Sequence, residues 1–306
     1  MAALMLNRHS QVRAFAGEGS FFEHIHALED APFLERKAEI LHELTRADDP
    51  VLNDELQDVV RQRLDAVDEN RSAEALYVEG KQALAECARA TRWAQKATSY
   101  VFHVETILKS FPKATLLFMI RNPLDLAASL RRRGHWHSVG RMLWGWNAGV
   151  ERALMFRQRY PESFKIVRYE DLVAQPEQET RDILAFCSLP YDAACLDVAH
   201  VNRSEQPYTQ QSETSGLNTS RVFYYSHVLS AEEEVAIRLL TDERRFRVLY
   251  SDLPEPSADP SARCIYHAFK IAVLGLLETA RDQAGVLLDD PSHAIRRIRK
   301  RLEGGV

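Results

Sequence analysis

At 306 residues, 45% hydrophobic and 27% charged, with a net charge of −5, the chain can bury the core of one large domain or of one domain with an appendage. The acidic balance gives no general attraction to nucleic acid. Cys87, Cys187, Cys195 and Cys264 show neither CxxC nor Cys/His spacing, which argues against a disulfide framework or a zinc site and for reduced, cytosolic thiols.

In chain order, "MAALMLNRHS" is apolar for only six residues, too short for a signal segment, and no run reaches the ~18 apolar residues of a membrane helix. A cytoplasmic protein without a transmembrane segment is expected. Residues 1–8 read as the remainder of a helix, 11–15 as a short strand, and 20–90 as several amphipathic, charge-rich helices. "ATLLFMI" (114–120) is a short apolar run bounded by turn signals, the pattern of a strand covered on both faces. Pro123 sits where proline is tolerated, in the first turn of a helix over 123–133. A long helix follows over 138–160, stopped at Pro161. "FKIVRYEDL" (164–172) reads as a second buried strand, and 175–189 as a helix whose early acidic residues suit its dipole. Strand and helix in alternation imply a parallel α/β sheet with crossovers. "DLPEPSADPSA" (252–262) breaks the composition with three prolines, so a domain over 1–251, a linker over 252–262 and a helical appendage over 263–306 are expected. The appendage holds an amphipathic helix over 263–284 and ends in the basic "AIRRIRKRLEGGV". That tail reads first as a solvated helix end and second as a contact for an acidic partner or membrane surface.

The stretch "FMIRNPLDLAASL" (118–130) carries the chemistry. Ligands of open parallel sheets bind beyond the carboxyl ends of the strands, and Arg121 closes such a strand. Its planar fork of donors suits a phosphate, and Ser129, eight positions on, can add a neutral hydrogen bond. Pairing of Arg121 with Asp125, with Ser129 merely packed or capping, is the other reading of the same residues.

Three segments in order, "QKATSYVFHVETILKSFPKATLLFMIRNPLDLAASL", "FKIVRYEDLVAQPEQETRDILAFCSLP" and "LNTSRVFYYSHVLSAEEEVAI", together resemble the sulfotransferases that use 3′-phosphoadenosine-5′-phosphosulfate (PAPS), over roughly residues 1–250. The bacterial and protein-tyrosine-sulfating members look most similar. The resemblance implies a P-loop NTPase-like α/β fold, a three-layer sandwich around a central parallel sheet. It also implies that Arg121 and Ser129 grip the 3′-phosphate, that Ser220 contacts the phosphosulfate and that Arg221 brackets the nucleotide. Lys96 matches the lysine near the sulfuryl group, although Ala97 and Thr98 replace the Thr-Pro or Asp-Pro that follows it in the family. Glu18 matches the carboxylate that takes the acceptor's proton. Both types suit in-line transfer of SO3, in which positioning and stabilisation of negative charge dominate.

Family members begin with a strand and a Gly/Ser/Thr-rich loop that holds the phosphosulfate. Here "MAALMLNRHSQV" resembles the stretch after that loop, so a sheet lacking its first strand and loop is expected. A start codon placed too late ranks first among the explanations, ahead of a fragment or a degenerate protein. The expected activity is transfer from PAPS, without a metal, to a hydroxyl or amine of a small molecule or peptide. The alternative is a sulfotransferase-like nucleotide-binding protein without transfer activity. A nucleotide kinase is disfavoured because no GK[ST] occurs. His24 and His26, His103, the His135–Trp146 aromatic cluster and Tyr169-Glu170-Asp171 all read as structural.

Overall fold

A computed structural model describes residues 1–15, 17–29, 31–45, 54–198 and 222–289. It divides into two compact units, the first made of Met1–Ile120 and Arg152–Thr219, the second of Arg121–Glu151 and Ser220–Val306. The elements in chain order begin with α1 (Ala2–Leu6), β1 (Val12–Phe15), α2 (Phe21–Glu29), α3 (Phe33–Thr45), α4 (Asp54–Asp65), α5 (Ala73–Cys87), β2 (Arg92–Gln95), α6 (Val104–Ser110) and β3 (Leu116–Ile120). They continue with α7 (Pro123–Arg132), α8 (Val139–Arg159), β4 (Phe164–Arg168), α9 (Tyr169–Ala174), α10 (Pro176–Phe186), α11 (Ala231–Leu240), α12 (Glu243–Leu249) and α13 (Ala262–Asp289).

In the first unit the strands are parallel, as the alternation of strand and helix requires, but they form two pairs instead of one sheet. β1 pairs with β2, Val12 opposite Arg92, and β3 with β4, Leu116 opposite Phe164. Helices cover both sides. Met5, Leu6, Ile183 and Leu184 from α1 and α10 pack with Val12, Ala14, Leu117 and Val167. Phe15, Leu116 and Phe164 serve clusters that hold Phe21, Leu44, Tyr77, Val104 and Phe156.

Hydrogen-bond direction separates the edges of the strands. Arg92 N donates to Gln11 O at 3.0 Å and Lys96 N to Phe15 O at 3.0 Å, so the backbone groups of Trp93 and Gln95 point away from β1. Leu116 N donates to Ser163 O at 2.8 Å, so those of Leu117 and Met119 point away from β4. The outer edge of β1 is met by its own chain, Val12 N donating to His9 O at 3.0 Å and Ala14 N to Asn7 Oδ1 at 2.9 Å. Leu116 to Met119 are only half-buried, although every side chain is apolar.

The strand read over 164–172 ends at Arg168, and Tyr169, Glu170 and Asp171 open α9, where two carboxylates sit in the first turn.

In the second unit, Asn122 caps α7 by accepting from Asp125 N at 2.8 Å, and Pro123 fills the position where a missing N–H costs nothing. Ser230 and Glu233 form a reciprocal capping box on α11. Residues 252–262 connect α12 to α13 within this unit. The inner side of α13 buries Cys264, Ala268 and Ile271, and Gly275 meets Gly140 so closely that a Cβ on Gly275 would lie 2.8 Å from the Gly140 Cα.

Candidate functional site

Because β1 and β2 are parallel and in register from Val12 to Gln95, their carboxyl ends emerge side by side. The loop after β1 carries Glu18 and the loop after β2 carries Lys96. Gly19 N donates to Lys96 O at 3.0 Å, which ties the two loops together. Lys96 Nζ pairs with Glu18 Oε2, while the Thr98 amide donates to Glu18 Oε1 and the Thr98 hydroxyl bonds the same oxygen at 2.7 Å. Side chains 39% and 38% exposed leave Glu18 and Lys96 open to a reactant.

A half-buried network around Gln95 joins the two loops that carry this pair. Gln95 Nε2 donates to Gly17 O and to Lys96 O, both at 2.9 Å, so a single amide spans both loops. Gln95 Oε1 accepts from Lys81 Nζ at 2.6 Å, and that ammonium lies 3.8 Å from the centre of the Phe15 ring. Lys81 is 4% exposed, a buried charge whose partners include this amide and the Phe15 ring. A Cβ on Gly19 would come within 2.8 Å of Gln95 Cγ, so glycine there lets the loop close over the amide. Sequence reading missed Lys81 and Gln95, and met Thr98 only as a departure from the family's segment after the lysine. The "RWAQ" strand that positions Gln95 is four residues long, lacks β-branched side chains and has polar ends, so its period-2 signal is weak.

Arg121, the residue after the end of β3, belongs with Asp125 and Ser129 to the second unit. Its carbonyl accepts from Trp146 Nε1 at 3.0 Å, and its guanidinium stands 3.6 Å from Asp125 Oδ2. The Asp125 pairing weighed from the sequence therefore exists, as an ion pair too long for a hydrogen bond. Asp125 accepts from Asn122 Nδ2, Phe223 N and Tyr225 N, each at 2.9 Å. Those amide bonds hold a turn in which Phe223 takes the left-handed φ of 55°, a conformation that costs a bulky residue energy. Ser129, four residues after Asp125 and so on the same side of α7, is half-buried. Ser220 and Arg221 lie outside the described residues.

Trp146 is buried, with ring centres 6.2 Å from Phe246 and 6.5 Å from Tyr250. His103 precedes α6, and His135 and His137 are exposed. Among the described residues no cluster of His, Cys, Asp or Glu is arranged to hold a metal, and no helix is long and apolar enough to cross a membrane.

A family model described as "Sulfotransferase family" matches residues 1–193, more than half of the chain. The chain belongs to the sulfotransferase family. Among solved structures, the sulfotransferase domain from the olefin synthase of Synechococcus PCC 7002 is similar with a TM-score of 0.51 and 18% identity, over 83% of this chain and 90% of that one. That likeness assigns the sulfotransferase fold. The sulfotransferase domain from the curacin biosynthetic pathway gives a TM-score of 0.41 and 16% identity, over 89% and 92% of the two chains. Among curated proteins, an uncharacterised protein of Aquifex aeolicus (strain VF5) is 27% identical over 129 residues, 39% of this chain but only 17% of that protein. The chain thus spans only a small part of the length of that curated relative.

Proposed function

We propose that the protein transfers a sulfuryl group from PAPS to a hydroxyl or amine acceptor, with residues 1–251 carrying the chemistry. The observation that best supports this reading is the pairing of Glu18 with Lys96 at the carboxyl ends of two parallel strands, in a chain of the sulfotransferase family. The donor set also fits the nucleotide: a guanidinium at a strand end and a hydroxyl two helical turns along suit the 3′-phosphate of PAPS. PAPS supplies an activated S–O bond. Glu18 accepts the acceptor's proton as the acceptor oxygen or nitrogen bonds to sulfur, and Lys96 counters the charge on the phosphate oxygen as its bond to sulfur breaks. The products are the sulfated acceptor and adenosine 3′,5′-bisphosphate.

The test is transfer of labelled sulfate from PAPS to a panel of small alcohols, phenols, amines and tyrosine peptides, beside calorimetry with adenosine 3′,5′-bisphosphate. Label in at least one acceptor is expected. Binding of the bisphosphate without labelled product across the panel would favour a nucleotide-binding role, and no binding would reject the donor assignment.

A further inference from the structure

Helix α13 is amphipathic twice over. Its inner side packs on α11 and on the start of α8, and its acidic residues turn the same way: Glu278 accepts from Ser138 Oγ at 2.6 Å, and Asp282 pairs with Arg141. At about 100° per residue, Ile265, Phe269, Val273 and Leu276, with Tyr266 and Leu277 beside them, fall in an arc of roughly 120° on the opposite side. These are not grazing exposures. Ile265 is 62%, Tyr266 63%, Phe269 67%, Leu276 58% and Leu277 63% exposed. Five such side chains leave on the order of 100 Å² each, a contiguous patch of the size that marks an interaction surface.

Charge selects the occupant. Arg263, Lys270 and Arg281 are exposed and share one flank of the apolar arc, within about 20° of one another. The sequence beyond α13 adds Arg296, Arg297, Arg299, Lys300 and Arg301, in a protein whose net charge is −5. Bases outside, acids turned inward and paired, and an arc of aromatic and aliphatic side chains is the composition of a helix lying in an anionic bilayer surface. A second copy of the chain would cover the apolar arc but set like-charged flanks among its neighbours. We infer that α13 is a peripheral membrane anchor, which lays Ile265, Phe269 and Leu276 among acyl chains and Arg263, Lys270 and Arg281 among anionic headgroups.

The full chain should co-sediment with vesicles of 70% phosphatidylcholine and 30% phosphatidylglycerol, at least tenfold better than with phosphatidylcholine alone. Phe269→Glu with Leu276→Glu should reduce binding to the mixed vesicles by a hundredfold or more. Arg263→Glu with Lys270→Glu should reduce it tenfold and weaken its dependence on salt. All these side chains face solvent, so thermal melting should hold in each variant and separates lost binding from lost fold. No binding to mixed vesicles at low salt overturns the inference. So does binding that the Phe269/Leu276 pair leaves unchanged, which would assign it to the basic tail alone. A concentration-dependent dimer abolished by Phe269→Glu, in a protein that ignores vesicles, would assign the face to a second copy.

Discussion

Arg121 and Asp125 divide two tasks between adjacent charges. In its proposed role at the 3′-phosphate, Arg121 would supply a charge-assisted contact of ~1.5–3 kcal/mol, so Arg121→Ala should weaken adenosine 3′,5′-bisphosphate roughly 10- to 100-fold in calorimetry. Binding of adenosine 5′-monophosphate should scarcely change, and equal losses for the two ligands would reject the assignment. Asp125 works through the backbone. Asp125→Asn swaps an acceptor for an amide that must face donors, so the Phe223 and Tyr225 amides should exchange with deuterium faster, while amides late in α7 stay protected. For the pair proposed to carry the transfer, Glu18→Gln should lower turnover about 100- to 10,000-fold, and less for acceptors whose hydroxyl is already acidic. Lys96→Ala should show no such dependence on acceptor acidity. Normal turnover of every acceptor by Glu18→Gln would place the base elsewhere. Arg121 was legible in the sequence because a strand end announces itself as an apolar run meeting Asn-Pro. Glu18 and Lys96 became legible only through resemblance, since a loop glutamate and a loop lysine carry no period. Asp125 was noticed as a partner for Arg121, but its bonds to amides 98 and 100 residues away have no local signature.

Helices were legible wherever 3.6-residue periodicity ran for several turns, as in α8, α10 and α13. Strands were legible in the wholly apolar β3 and in the short β1, whereas β2 was missed and β4 overrun. β2 escaped because Arg92 and Gln95 dilute its pattern, and β4 was drawn too long because Tyr169 looks like a strand residue when the helix-favouring acids after it are discounted. Close approach of elements was not legible at all. Gly275 in α13 resembles any helical glycine until Gly140 appears against it. Gly275→Ala, which by propensity should favour the helix, should instead destabilise the protein by about 1–3 kcal/mol, because the new methyl meets backbone that cannot swing aside. Gly145→Ala, with nothing within 4 Å of its Cβ, should be neutral or stabilising, and thermal melts of the two variants side by side would check the contrast.

At the level of the whole molecule, alternation of strand and helix correctly implied parallel pairing, whereas the split into two pairs had no sequence signal. The first unit also contains a titratable core. Burial, with the neighbouring Glu43 carboxylate, raises the hydroxyls of Tyr77 and Tyr100 above the ordinary tyrosine range. The folded state thus holds these protons more tightly than the unfolded chain does. Their stabilisation is complete below about pH 10, the unfolded value, and is lost as pH rises from there toward the folded values. Melting temperature should fall between pH 9 and 11, and less steeply in Tyr77→Phe; equal slopes would show that other groups govern alkaline unfolding. The inner edge of β3 bears on how the protein must be handled. "LLFMI" has the composition of fibril-forming segments: apolar, uncharged, and free of proline and glycine. Its gatekeepers are Pro112 and Lys113 on one side and Arg121 and Pro123 on the other. Arg121 therefore guards solubility whatever its proposed part in binding an anion, and removing its charge should shorten the shelf life of the sample. Arg121→Lys keeps the gate while losing the fork, which makes it the variant in which weak phosphate binding cannot be mistaken for precipitation.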